Sequence, residues 1–295
     1  DAMYAELAKK ERLPGLVYGV VMDGRLAHVR SIGFANVERK TPVAANTPFR
    51  IASMTKSFAA MALLQLRDRG KLRLDDAAAD YLPELRKLRL PTADSPPLTL
   101  RHLLTMSTGL PEDNPWGDRQ MAADNEAIAR IVGGGLSFSN APGMEYEYSN
   151  LGYILLGKVI TKVSGMRFQD YITQNILRPL GMKDTNWEYD DAPRDRFAQG
   201  YRRERDNWVA EPVLHDGDGA AMGGLITTMD DFARYVAFHL DAWPARDGVD
   251  NGPLRRASVR EMQQPQVFAG FSAKAMQSDD KTPNPRVGFY GYGLT

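Results

Sequence analysis

The chain contains no cysteine. Disulfides, thiolate nucleophiles, iron–sulfur clusters and thiolate zinc sites are therefore excluded together. An excess of either charge is also missing, since 37 Lys and Arg balance 37 Asp and Glu. A nucleic-acid binder normally carries a basic surplus, and a protein held on an anionic bilayer carries clustered lysines and arginines. The balance argues against both kinds of partner. No run approaches the ~18 consecutive apolar residues that mark a membrane-spanning helix. The opening Asp1-Ala2-Met3-Tyr4 has neither the basic start nor the apolar stretch of a signal peptide. Met3 is not the first residue, so a removed leader or a trimmed start is the expectation. The four histidines show no H-E-x-x-H spacing.

What is present suits a soluble globular protein: 43% hydrophobic and 25% charged residues over a length of 295. Such a chain buries roughly 75% of the surface that its unfolded form exposes, so one large domain or two moderate ones can stand without staples. No repeat or low-complexity tract interrupts it. A short helix over 3–12 stops before Pro14. Predicted strands at 16–22, rich in Val, and at 25–35 flank Asp23-Gly24, a hairpin signal because both residues tolerate positive φ. Residues 58–64 are all apolar and rich in helix formers, which predicts a buried helix over 54–69 that stops at Gly70. Helices are also predicted at 100–106, 123–132, 150–164 and 168–179, with Gly165 and Gly181 as stops. Thr228 should cap a helix to about 240. Ser258 with Glu261 reads as a capping box, and 284–295 reads as strand. The layout predicts an α/β (α+β) architecture, with 1–60 and 230–295 contributing the sheet domain and 61–229 mainly helical.

Ser53-Met54-Thr55-Lys56 stands at the mouth of the predicted buried helix. A lysine three residues after a serine lies on the same helical face. Desolvation favours its neutral amine, which can take the serine proton. The pattern alone decides little, because S-x-x-K arises by chance about once in a chain of this composition. A second copy, Ser278-Asp279-Asp280-Lys281, sits in a polar stretch. Only Ser53 opens an apolar helix.

Tyr148-Ser149-Asn150 follows the Pro142-Gly143 turn and precedes a helix. A tyrosine near a lysine can relay a proton, and an asparagine amide can hold a carbonyl. The plainer reading makes Tyr148 a packing residue and Asn150 a helix N-cap. His28, His102 and His239 read as structural. No G-x-S-x-G elbow surrounds any serine. Trp116, Trp187, Trp208 and Trp243 fall in predicted loops or loop–helix junctions, and Trp116 is a candidate for lining a cleft. Arg202 to Arg205 reads as a solvated charge run.

Taken together, several stretches resemble the serine β-lactamase and penicillin-binding-protein superfamily, in the branch of class C β-lactamases, D,D-peptidases, D-aminopeptidases and esterases. They are P-F-R-I-A-S-M-T-K (48–56), L-T-L-R-H-L-L-T-M-S-T-G-L-P (98–111), Y-S-N-L-G-Y-I-L-L-G (148–157), L-R-P-L-G-M (177–182) and G-G-L-I-T-T-M-D-D-F-A-R (223–234). The resemblance covers most of 14–240, in the family's order. It implies an antiparallel sheet flanked by helices, with an inserted helical region, and a chemistry that needs no metal or organic cofactor. It also implies catalytic roles for Ser53 (acylated nucleophile), Lys56 (its deprotonation), Tyr148 (base and relay) and Asn150 (substrate contact). The substrate would be a small molecule or peptide with an ester, D-amino-acid amide or β-lactam carbonyl. A non-catalytic penicillin-binding or scaffold role is the alternative. Relatives acting on cell-wall peptides imply a periplasmic or secreted location, and esterase relatives a cytoplasmic one.

One departure stands out. The branch carries a third motif, K-T-G or H-x-G, on a strand near its C-terminus. His215-Asp216-Gly217 has the letters but precedes the G-G-L-I-T-T stretch. Lys281-Thr282-Pro283 has a proline where a central strand needs an N–H. The expectation is that this motif and the final strands lie beyond Thr295.

Overall fold

Asp23 and Gly24 both adopt positive φ, 54° and 73°, so the hairpin turn forms as the sequence predicts. The computed structural model describes residues 1–114, 117–191, 195–205, 207–272 and 285–295. Among these, the helices are α1 (Ala2–Lys10), α2 (Thr55–Asp68), α3 (Ala78–Tyr81), α4 (Leu100–Leu104), α5 (Asn125–Gly133), α6 (Asn150–Ser164), α7 (Phe168–Ile172), α8 (Arg178–Leu180), α9 (Met229–Asp241) and α10 (Arg256–Met262). The strands are β1 (Gly15–Met22), β2 (Arg25–Asn36), β3 (Thr41–Pro42), β4 (Phe49–Arg50), β5 (Tyr201–Glu204), β6 (Asn207–Ala210), β7 (Ile226–Thr227), β8 (Val267–Ser272) and β9 (Arg286–Tyr290).

The largest sheet is antiparallel, in the order β1-β2-β3, and α9 packs on β1 and β2. The other strands form three antiparallel pairs, β4-β7, β5-β6 and β8-β9. The strand expected near the end of the chain is β9, and its partner is β8. Among the described residues no strand pairs with the outer edge of β1. The charge run at 202–205 is largely β5, exposed as expected. Trp208 lies in β6 rather than in a loop, with its indole N–H donated to the Arg12 carbonyl at 2.9 Å.

Every residue of α2 from Thr55 to Leu66 is buried. A helix that is apolar around its whole circumference has to be central, and each large side chain removed from water contributes about 1.5–3 kcal/mol. Gly70 ends this stretch at φ 68°. Helix α6 packs beside α2 and is buried from Asn150 to Gly157. At Gly157 an added Cβ would come 2.8 Å from the Ala221 Cβ. The glycine thus lets the short 3₁₀ turn Ala220–Met222 close onto α6.

Two local expectations are corrected. Ser258 does not cap a helix. Helix α10 starts at Arg256, and the Ser258 hydroxyl donates to Asp68 Oδ2 at 2.6 Å. Glu261 accepts from Arg67 at 2.7 Å, so both residues of the supposed capping box are drawn across to α2. The cap of α6 is Ser149, whose hydroxyl accepts from the Gly152 N–H at 3.0 Å, and Asn150 is the first helical residue. Thr228 caps α9 as predicted, accepting from the Asp231 N–H at 3.2 Å.

Candidate active site

Strand β4 runs antiparallel to β7, and the Ile51 N–H extends the pairing to the Leu225 carbonyl at 3.0 Å. The chain then turns sharply. Ala52 adopts φ 46°, a left-handed conformation that costs a non-glycine residue on the order of 1–3 kcal/mol. Ser53 follows in the 3₁₀ turn Ala52–Met54, which leads straight into α2. Ser53 is half-buried, whereas Lys56, one turn further, is 1% exposed.

The Lys56 ammonium nitrogen meets four oxygens. Nζ lies 2.7 Å from Asn150 Oδ1, 2.7 Å from the Met222 carbonyl, 2.8 Å from the Tyr148 hydroxyl and 3.0 Å from Ser53 Oγ. Ser53 Oγ and the Tyr148 hydroxyl are also hydrogen-bonded to each other. Asn150 Oδ1 and the Met222 carbonyl can only accept, so they take two of the lysine's N–H bonds. The remaining position on nitrogen faces Ser53 and Tyr148. It carries an N–H in the ammonium form and a lone pair in the neutral amine. In the neutral amine the lone pair then faces the serine and the tyrosine.

Each partner has its own support. Asn150, Tyr153 and Gly157 are spaced to form one stripe on α6. Asn150 reaches Lys56, and the Tyr153 ring centroid lies 5.6 Å from Nζ. Gly157 admits the turn that presents the Met222 carbonyl. The Arg50 guanidinium donates to the Gly224 carbonyl at 3.1 Å and also to the Leu214 carbonyl, joining the segments before and after that turn. The Tyr148 ring centroid is 4.9 Å from Nζ. Its segment is anchored one residue earlier, where the Glu147 N–H donates to the Met106 carbonyl at 2.9 Å. Met106 is itself buried and left-handed, at φ 57°.

Behind the lysine lies a layer of tyrosines. Tyr153 is fully buried, donates to the Leu104 carbonyl at 2.8 Å and accepts from the Tyr290 hydroxyl at 3.3 Å. Burial pushes the phenols of Tyr153 and Tyr290 up, so both remain neutral donors. Gly293 brings the end of the described chain against α2, where an added Cβ would come 2.7 Å from the Ser57 Cα.

The four residues named from the sequence, Ser53, Lys56, Tyr148 and Asn150, thus meet in one network. Three contributors were not anticipated. The Met222 carbonyl is main chain and leaves no trace in residue identity. Tyr153 could have been found from its i+3 spacing to Asn150. Asp113, 36 residues before Ser149, binds the start of α6 through both carboxylate oxygens. His102 serves in the cap of α4, with Nδ1 accepting from the Thr99 N–H at 3.3 Å. His215 is exposed and pairs with Glu188 at 3.0 Å. Trp116, Ser278, Lys281, Thr282 and Pro283 lie outside the described residues. Among the described residues, no group of three or more His, Asp or Glu could hold a metal ion, and no helix is long and apolar enough to cross a membrane.

A buried lysine joined to a serine at a helix mouth, with a tyrosine between them, defines a serine–lysine–tyrosine centre on a mixed α/β frame. A sequence profile of the Beta-lactamase family matches residues 1–295, and the chain belongs to that family. It is 29% identical over 244 residues to Protein flp of Staphylococcus aureus (strain MW2), an alignment covering 82% of this chain and 48% of that protein. The chain spans about half the length of such curated relatives. It is similar to the octameric penicillin-binding protein homologue from Pyrococcus abyssi, with a TM-score of 0.79 at 26% identity, covering 99% of this chain and 63% of that one. A penicillin-binding protein from Bacillus halodurans gives 0.69 at 26% identity, covering 98% and 81%.

Proposed function

We propose that this chain is a serine hydrolase that works through an acyl-enzyme on Ser53, with an ester, D-amino-acid peptide or β-lactam as substrate. The observation that carries the reading is the buried Lys56, whose Nζ lies 3.0 Å from Ser53 Oγ and 2.8 Å from the Tyr148 hydroxyl. A structural lysine has no need of that arrangement, and burying an ammonium group is costly unless its partners repay it. Family membership and the similarity to penicillin-binding proteins support the same class of chemistry.

In this reading Ser53 Oγ attacks the substrate carbonyl carbon, and its proton passes to the Tyr148–Lys56 pair. The tetrahedral intermediate collapses and expels the leaving group, which takes that proton. Water then repeats the sequence on the ester to free Ser53. Asn150 keeps Lys56 in place, and its amide is the candidate contact for the substrate carbonyl side.

The test is intact mass after incubation with a reporter penicillin and, separately, with a fluorophosphonate. Wild type is compared with Ser53→Ala and Ser278→Ala. The expected result is one adduct, lost only in Ser53→Ala. A penicillin adduct that persists points to a penicillin-binding role with slow turnover. No adduct from either reagent on a folded chain would overturn the acyl-enzyme reading.

A further inference from the structure

We propose that Asp113 is a positioning residue for acyl transfer at Ser53. Its carboxylate holds the Tyr148-Ser149-Asn150 segment so that Asn150 stays against Lys56. The inference rests on the acyl-enzyme reading above and adds a residue that the sequence motifs do not contain.

The first turn of α6 has three N–H groups without an intrahelical partner, those of Asn150, Leu151 and Gly152. Gly152 is met locally by the Ser149 hydroxyl at 3.0 Å. The other two are met by Asp113, with Oδ1 accepting from Asn150 at 2.7 Å and Oδ2 from Leu151 at 2.8 Å. Oδ2 also accepts from the Ser149 hydroxyl at 3.3 Å. The Asp113 N–H donates to the Tyr148 carbonyl at 3.4 Å. One residue thus bonds to all four positions from 148 to 151. A carboxylate is suited to this place, because the positive end of the helix dipole favours an anion there.

This is more than a helix cap. Helices α5 and α9 are capped by one nearby side chain each, Asp124 at 2.7 Å from the Ala127 N–H and Thr228. Helix α6 already has such a cap in Ser149, and Asp113 is added from a separate loop. The Asp113 carbonyl also accepts from the Gly117 N–H at 2.7 Å. Gly117 then lies flat against the Asn150 side chain, where an added Cβ would fall 2.4 Å from the Asn150 Cβ. Asp113 therefore holds the backbone of Asn150, and Gly117 lies against its side chain.

The grip matters because the amide of Asn150 is otherwise poorly tethered. Its Nδ2 is buried and has no hydrogen-bond partner among the described residues. Orientation then depends on the bond from Lys56 to Oδ1 and on the placement of the backbone. Asp113 supplies that placement.

The test compares Asp113→Ala and Asp113→Asn with Asp124→Ala, a helix cap away from this network. Two readouts are taken: the rate of Ser53 acylation by the fluorophosphonate, and the NMR titration of the Lys56 Cε signal, assigned by its loss in Lys56→Arg. A displacement of the order of 1 Å at such a centre costs about 100-fold. Asp113→Ala is expected to slow acylation by about 10- to 100-fold and to move the Lys56 signal, while Asp124→Ala changes neither. Asp113→Asn has the same shape but turns one acceptor into a donor against a backbone N–H. It should share the defect, and it carries the test if the alanine variant fails to fold. Wild-type acylation in Asp113→Ala, or slowed acylation with an unmoved Lys56 signal, overturns the proposal. If wild type itself is not acylated at Ser53, the acyl-enzyme reading fails separately. The Lys56 signal then decides alone, with movement supporting the grip and no movement overturning it.

Discussion

Asn150 Oδ1 stands 2.7 Å from Lys56 Nζ, and each residue is 1% exposed. The acceptor in this pair is a neutral amide, which carries no charge. Replacing it with a carboxylate by Asn150→Asp would put an anion beside the lysine and favour the ammonium form. The expected result is slower Ser53 acylation at neutral pH, with the acidic limb of the pH–rate profile moved to higher pH. A profile that keeps its position would show that Lys56 does not set that limb.

Tyr153 allows the opposite displacement. Its ring faces Nζ, and a desolvated cation–π contact contributes up to about 2 kcal/mol toward the charged form. Tyr153→Leu removes the ring, so the same limb should move to lower pH. Tyr153→Phe retains the ring but leaves the Leu104 carbonyl without its donor, at a cost of about 1–3 kcal/mol. That variant should lose stability in a urea titration while its pH–rate profile stays in place.

At Gly157 two effects oppose each other. Alanine improves helix propensity by about 1 kcal/mol, but its Cβ would come 2.8 Å from the Ala221 Cβ, and overpacking costs about 1–3 kcal/mol. The steric term is expected to win, because the neighbour belongs to a tight turn rather than to the end of a flexible side chain. Gly157→Ala should lower the melting temperature by about 2–4 °C. Acylation should slow as well, as the Met222 carbonyl is pushed away from Lys56.

His239 predicts how stability depends on pH. Its Nδ1 meets the Gln263 amide at 3.1 Å, the Tyr235 ring lies 4.4 Å away, and Nε2 has no partner among the described residues. Burial lowers its pKa from 6.5 to about 4. Between those values the unfolded chain takes up the proton and the folded one does not. The stabilisation is complete above the unfolded value and is lost as pH falls toward the folded one, by roughly 3 kcal/mol in all. His239→Gln removes this titration. The difference in unfolding free energy between wild type and His239→Gln should therefore shrink from pH 7 to pH 4.5, and a constant difference would contradict the assignment.

Local pattern proved a good guide wherever one element decided the outcome. The Asp23-Gly24 turn, the buried α2, the stops at Gly70, Gly165 and Gly181 and the cap at Thr228 all follow from neighbouring residues. Ser258 and Glu261 show where such reading fails. Their spacing suits a capping box, but Asp68 and Arg67 on α2 offer charged partners that no local window contains. At the candidate site, Ser53, Lys56, Tyr148 and Asn150 stood out because they are side chains in compact motifs. Asp113 did not, because its meaning lies in two N–H groups 37 and 38 residues away. Ala52 hid the turn before Ser53 for a related reason, since a left-handed residue is expected to be glycine.

The Met222 carbonyl supplies as close a contact to Lys56 as Asn150 does, and no side-chain replacement removes it. Alanine scanning would therefore credit the lysine with its side-chain partners and leave this carbonyl invisible. Position 222 could accept varied side chains of similar bulk while this function persisted, so a tolerant position there would say nothing about its importance. An ester linkage in place of the amide between residues 222 and 223 would weaken that carbonyl as an acceptor while keeping every side chain. It is the backbone chemistry, rather than the residue alphabet, that this contact of the lysine would answer to.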